Sequence, residues 1–424
     1  MRRAVRVAGR GRAHGHRPRR HPRDLLRRHR RPGKGRAEPQ HAAGQASGVI
    51  PRNLSRRRRA LARYATIGRR RPHRPIDHEP RRLDHARRNS VKIYRAGDAL
   101  PGALAGETVA VLGYGNLGRS AALNLRDSGV KVRIGNRDDE YADQARADGF
   151  EVVPLATAAG ADIVFVLLPD EVIPEVFARD VAPELRPGSA VAFGSGYSVA
   201  FGLVHPPETV DVLLVAPRMA GTAARTRYLA GQGFWACLGV EADRSGRAHR
   251  RMLGLADALG ALRAAALEMT AAMESALDLF VEQTIGPLLG TALMIAFDVG
   301  REAGIPPEAL VMEMYMSGEM ETVFAGFRTA GFLRASEDHG PTAIFGGITR
   351  AIEIDREELS VRFRRVLDDI RSGAFAERFQ AEARAGYPLL NMAQGLLRGG
   401  SHITEAEARL RCAAGLPDPP ADRV

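Results

Sequence analysis

Residues 107–129 read ETVAVLGYGNLGRSAALNLRDSG. A β-branched apolar run meets a glycine turn, and a helical period follows that stops at Gly129. Within it, Gly113, Tyr114, Gly115, Asn116, Leu117 and Gly118 spell G-x-G-x-x-G. Each glycine has a physical task. Gly113 permits a tight turn, Gly115 lets backbone approach a pyrophosphate, and Gly118 lets the helix pack closely on the strand, with the helix N-terminus facing the phosphates. Glycines also make ordinary turns, so the strand before and the helix after are what turn the pattern into a dinucleotide fingerprint.

Working outward, VKVRIGN (130–136), ADIVFVLLP (161–169), SAVAFGSG (189–196) and DVLLVAP (211–217) are further apolar runs with turn signals after them, as buried parallel strands should be. DEYADQARADG (139–149) carries helical spacing between them. The alternation is βαβ punctuation, so the expectation is a doubly wound Rossmann-type α/β domain over 91–265, with its ligand crevice beyond the strand C-termini. After about Ala248 the strand signal fades. Residues 270–304, TAAMESALDLFVEQTIGPLLGTALMIAFDVGREAG, are apolar nearly all round at helical spacing, and an all-α domain is expected over 266–410. A helix with that composition belongs inside an assembly, which points to a homodimer or a higher oligomer.

Charge divides the chain elsewhere. Residues 1–90 hold 28 Arg and one Lys against three Asp and two Glu, a net +24 within a total of +13, so the remainder carries −11. The basic pI belongs to that segment alone, and no nucleic-acid partner is expected for the rest. With runs such as SRRRRALARY and no sustained period, 1–90 is expected to be a disordered, Arg-rich extension. An upstream extension foreign to the natural product is the favoured reading. A tail gripping phosphates and a transit peptide are the alternatives. Two cysteines, Cys237 and Cys412, are too few for a disulfide framework. No uninterrupted apolar run of membrane-spanning length, about 18 residues, occurs, and there is no apolar signal-peptide core. The expectation is a cytoplasmic protein with no membrane partner.

Two stretches carry candidate chemistry beyond the glycine turn. At the end of the second strand stand Asn136, Arg137, Asp138, Asp139 and Glu140. A guanidinium there suits the 2′-phosphate of NADPH, and an acid suits the bare ribose of NADH. Arg137 inclines the reading to NADPH with NADH possible, while the acids are equally at home as a helix N-terminal turn. On the long apolar helix, Asp278 and Glu282 share a face, with Glu274 one turn earlier. Carboxylates in such a setting are costly unless paired or bound to a hard cation such as Mg²⁺. A solvated or salt-bridged pair is the plainer alternative. Glu313, in LVMEMYM (310–316), has the same surroundings.

These landmarks resemble the short-form ketol-acid reductoisomerases. LGYGNLGRSAALNLRDSGVKVRIGNR, VFVLLPDEVIPEVF, VDVLLVAP, DLFVEQ and VLDDIRSGAFAERF follow one another as they do in that family, over roughly 91–400. The resemblance implies an oxidoreductase that uses NADPH and two Mg²⁺ ions to move an alkyl group within an acetohydroxy acid and then reduce the resulting ketone, in branched-chain amino acid synthesis. It further implies that Asp278 bridges the two ions, with Glu282 on one and Glu313 on the other. The chain departs from the pattern at four places. Ser195 stands for the active-site His, Arg218 for a Lys, Ser317 for a second Glu, and Gly340, beside His339, for a substrate-binding Ser. Arg218 keeps a charge suited to clamping a carboxylate but will not give up a proton, and Ser195 donates a hydrogen bond without titrating near neutrality. Reduction of another 2-oxo acid or imine without alkyl migration, and a catalytically silent dinucleotide binder, are the competing readings.

Overall fold

A computed structural model describes residues 91–335, 339–398 and 400–417. The expected basic extension, 1–90, lies outside the described residues.

Nine strands form one sheet: β1 (Ile93–Tyr94), β2 (Thr108–Leu112), β3 (Lys131–Gly135), β4 (Val152–Val153), β5 (Ile163–Val166), β6 (Ala190–Phe193), β7 (Asp211–Pro217), β8 (Trp235–Ala242) and β9 (Ala265–Glu268). Their spatial order is β1-β9-β8-β7-β6-β5-β2-β3-β4. The six strands from β4 across to β7 are all parallel, and the order turns back between β2 and β5. That is the doubly wound arrangement, and the turning point is where a crevice opens. Three strands extend it: β8 antiparallel to β7, β9 parallel to β8, and β1 antiparallel to β9. The last strand straddles the expected 265/266 boundary, so the sheet ends at Glu268.

Continuous apolar runs make sense because both faces are covered. Val109, Val111, Ile163, Phe165 and Leu213 point into one core, shared with helices α1 (Asn116–Asp127) and, later in the chain, Ala248–Ala258. Ala110, Leu112, Val164, Val166 and Phe193 point into the other. Helices α2 (Glu140–Ala147), α3 (Leu155–Ala159), α4 (Ile173–Val176), α5 (Tyr197–Ala200), α6 (Gly221–Leu229) and α7 (Ala248–Ala258) complete this half. Its buried arginine, Arg251, is paired: Nη1 lies 3.0 Å from Asp211 and Nη2 2.9 Å from Glu107. Asp211, itself wholly buried, also accepts from the Ser245 hydroxyl at 2.6 Å and from two main-chain N–H groups. Such pairing is the condition on which charges enter a core.

The second half is helical throughout the described residues. Helix α8 (Ala271–Glu302) begins at Thr270, whose hydroxyl accepts the Met273 N–H, and runs unbroken through Pro287. After it come α9 (Pro307–Val311), a π-helical turn (Met312–Met316), α10 (Glu319–Ala330), α11 (Phe332–Ala335), α12 (Pro341–Ala351), α13 (Arg356–Arg371), α14 (Ala374–Arg384), α15 (Pro388–Arg398) and α16 (His402–Ala414). A small core of Phe297, Val311 and Ala406 joins the far end of α8 to α9 and α16.

Candidate active site

The glycine turn has the geometry its spacing predicts. Gly113 has φ +92°, and a Cβ there would sit 2.8 Å from the Leu167 carbonyl oxygen. A Cβ at Gly118 would sit 2.2 Å from the Gly113 oxygen, so only glycine lets α1 approach the strand. Gly115, by contrast, faces open space, with nothing within 4 Å of a Cβ position. It caps α1 without a side-chain acceptor, leaving the first N–H groups of the helix free for an anion. A cleft of about 650 Å³ opens here, and Leu117, Arg137, Asp170 and Ser195 reach its walls. These features fit a dinucleotide. Two residues of the motif have structural duties as well. The Tyr114 hydroxyl donates to Asp148 at 2.9 Å, and Asn116 Oδ1 accepts from the Thr222 N–H and hydroxyl at 3.0 and 2.9 Å.

At the mouth of the cleft, the carboxylates that compete with Arg137 are largely committed elsewhere. Asp139 caps α2 by accepting the Tyr141 and Ala142 N–H groups, and it also takes Arg137 Nε at 2.6 Å. These donors hold its carboxyl below the usual range against the cost of burial. Asp138 pairs with Arg146 at 2.9 Å. Arg137 itself is 83% exposed.

The loop after β6 joins the two halves. Gly196 N–H donates to Glu274 Oε2 at 2.7 Å, and a Cβ on Gly196 would strike Ala271 in the first turn of α8. Ser195 accepts the Tyr197 N–H at 3.1 Å. From the end of β7, Arg218 reaches the same helix face: Nη1 lies 2.6 Å from Asp278 Oδ1 and Nη2 2.7 Å from Glu274 Oε1. The guanidinium, suited to clamping a carboxylate, therefore engages two of the chain's own one turn apart on a helix face, by a hydrogen bond to Asp278 and an ion contact with Glu274.

Burial pushes the Glu274 carboxyl up, opposed by Arg218 and the Gly196 N–H. Glu282 is raised by burial and by Asp278. Asp170 was not foreseen from sequence. It sits in the LLPD loop after β5, and burial together with the negative fields of Glu171, Glu274, Asp278 and Glu282 raises it to about 6. Nothing in local spacing marks it, since only the fold brings that loop opposite α8. Glu274 was visible as a stripe-mate of Asp278 but not as the partner of Gly196 and Arg218.

Asp278 and Glu282 thus lie together, near Ser195, Arg218 and Asp170, beside the cleft. Glu313 does not join them. Leu310 packs against Gly300 at the opposite end of α8, and 22 residues of helix at 1.5 Å each separate that point from Asp278 by about 30 Å. Among the described residues, no three His, Cys, Asp or Glu side chains are grouped as a metal site. Asp278 and Glu282 by themselves fit one Mg²⁺, which typically takes one or two carboxylates and fills its remaining positions with water and substrate.

Known proteins agree with this architecture. Residues 103–265 match the family profile described as "Acetohydroxy acid isomeroreductase, NADPH-binding domain", and 272–414 match "Ketol-acid reductoisomerase, C-terminal domain". The chain is 40% identical over 306 residues to a ketol-acid reductoisomerase (NADP(+)) of Pyrobaculum arsenaticum, covering 71% of this chain and 92% of that one. It is 37% identical to a putative ketol-acid reductoisomerase of Saccharolobus solfataricus over 68% of this chain and 87% of that one. Among solved structures, an NADH-preferring ketol-acid reductoisomerase from an uncultured archaeon superposes with a TM-score of 0.72 at 32% identity, over 76% of this chain and 98% of that one.

Proposed function

The chain belongs to the ketol-acid reductoisomerase family and is an NADP(H)-dependent oxidoreductase, and from that premise we propose that it catalyses the full isomeroreduction with NADPH and Mg²⁺. An alkyl group moves from C2 to C3 of an acetohydroxy acid as the C2 hydroxyl loses its proton. The new C2 ketone is then reduced by one hydride and one proton. The observation that carries the reading is the join between halves: Gly196 and Arg218 fix the Glu274 and Asp278 carboxylates beside the dinucleotide cleft.

Bound NADPH supplies the hydride, and Mg²⁺ held by Asp278 and Glu282 polarises the substrate oxygens. The chain's own residues supply the rest. Free N–H groups of α1 seat the pyrophosphate, and Arg137 meets the 2′-phosphate, which favours NADPH over NADH. Ser195 donates a hydrogen bond to a substrate oxygen from the cleft wall. Arg218, permanently charged, orients the acids and takes no part in proton transfer.

Glu313 contributes its carboxylate to the site of a second copy, since along its own chain it is about 30 Å from Asp278. The occupant of the exposed face of α8 is accordingly that second copy, in a homodimer or larger assembly. By length and composition alone α8 is able to cross a membrane, with a mean hydropathy of 1.4 over its most apolar window. Its carboxylates at 274 and 278, tied to the sheet domain, favour burial against protein. A cytoplasmic setting suits this reading.

The test is to incubate the full chain with 2-acetolactate, NADPH and Mg²⁺ and to identify the product by mass spectrometry. Formation of 2,3-dihydroxy-3-methylbutanoate is expected. Reduction of oxo acids that need no migration, with acetolactate left untouched, would reassign the chain as a simple reductase. That second reading draws on Ser195 and Arg218, which stand where the family pattern has a His and a Lys.

A further inference from the structure

We propose that Arg218 is a built-in counter-ion that limits the α8 acid face to a single divalent cation, by holding the Asp278 oxygen that a second ion would need. The inference rests on the Mg²⁺ role assigned to Asp278 above.

All three faces of the guanidinium are engaged. Nη1 holds Asp278 Oδ1 at 2.6 Å, Nη2 holds Glu274 Oε1 at 2.7 Å, and Nε faces the Pro217 carbonyl at 3.3 Å. The main chain beneath is fixed by the bond from Arg218 N–H to the Trp235 carbonyl, 2.8 Å, at the end of the β7–β8 pair. An aspartate that bridges two ions gives one oxygen to each. Here Oδ1 already accepts from a cation that cannot deprotonate and withdraw, so a second ion would have to share that oxygen with a positive guanidinium or displace it.

Displacing the arginine has a further cost. Glu274 is wholly buried, and without Arg218 its carboxylate would keep only the Gly196 N–H. A stranded buried charge of that kind is strongly unfavourable. A lysine would present a compact charge on a flexible stem in place of a planar fork, and so would yield the Asp278 oxygen more readily.

The experiment is a Mn²⁺ titration of the full chain followed by electron paramagnetic resonance, with circular dichroism and NADPH fluorescence confirming an intact fold. The wild-type chain should bind one Mn²⁺ per chain. Arg218→Gln should add a second equivalent or tighten binding at least tenfold, and Arg218→Lys should tighten it at least threefold. If Arg218→Gln does not fold, Arg218→Lys decides alone. Asp278→Asn should lose the ion, and retention there would overturn the metal role of Asp278 itself. Loss in Asp278→Asn together with unchanged stoichiometry and affinity in the Arg218 variants, or two ions in the wild type, would overturn only the inference about Arg218.

Discussion

The two halves of the chain bury their apolar residues by opposite means. In the sheet domain Ile163 and Phe165 are wholly inaccessible, as are most residues of the parallel strands. On α8, Ile285, Met294, Ile295 and Val299 are each more than half exposed. The first domain closes two cores with its own crossover helices. The second makes only a small core around Phe297 and presents the rest outward, which is far more apolar surface than a lone globular protein tolerates. Stability in the first half is therefore a property of one chain, and under the proposed homodimer that of the second is a property of the assembly.

The sharpest way to break this contrast is to charge the outward face. Ile285→Asp combined with Ile295→Asp should convert the assembly to monomers in analytical ultracentrifugation and reduce turnover by at least a hundredfold, while NADPH still binds. Dimers with normal turnover would show that another surface covers the helix. Next in size is the buried network of the sheet domain. Asp211→Ala leaves the buried Arg251 guanidinium with Glu107 as its one carboxylate and strips the acceptor from Ser245 and two main-chain N–H groups, and should cost about 3–5 kcal/mol in chemical denaturation, at every protein concentration, whereas the helical variant should show concentration dependence.

The smallest effect probes the boundary between halves. Asp170 has its carboxyl raised to about 6, above an ordinary aspartate. The folded state therefore binds more protons than the unfolded between the two values, and stability falls as pH rises through that window. Asp170→Asn removes the penalty, so in the presence of a chelator it should stabilise the protein by about 1–2 kcal/mol at pH 7.5, with no gain below pH 4. Equal effects at both pH values would mean that the loop responds to the amide's shape and not to charge.

How much was legible in the sequence follows the same division. The five long apolar runs and the GYGNLG turn announced themselves, because strands buried on both faces and a phosphate-facing turn each impose a local residue pattern. The strands that extend the sheet beyond β7 did not. β8 opens on the half-exposed Trp235 and contains Gly239, which is required because a Cβ there would strike the Met269 carbonyl at 2.2 Å. β9 is four residues long and follows a helix without alternation. At the site, Asp278, Glu282, Arg218 and Ser195 were identifiable one at a time. Their mutual engagement was not, since Arg218 and Asp278 are 60 positions apart and no local rule connects them.

The Gly196–Glu274 contact also has a mechanical side. It pins one end of a 32-residue rod about 48 Å long to the carboxyl edge of the sheet, while the other end packs on α9 and α16. A tilt of about 5° at that fulcrum carries the far tip through about 4 Å by simple leverage over that length. Any body that braces the distant end, where Glu313 resides, thereby governs the angle of the whole strut.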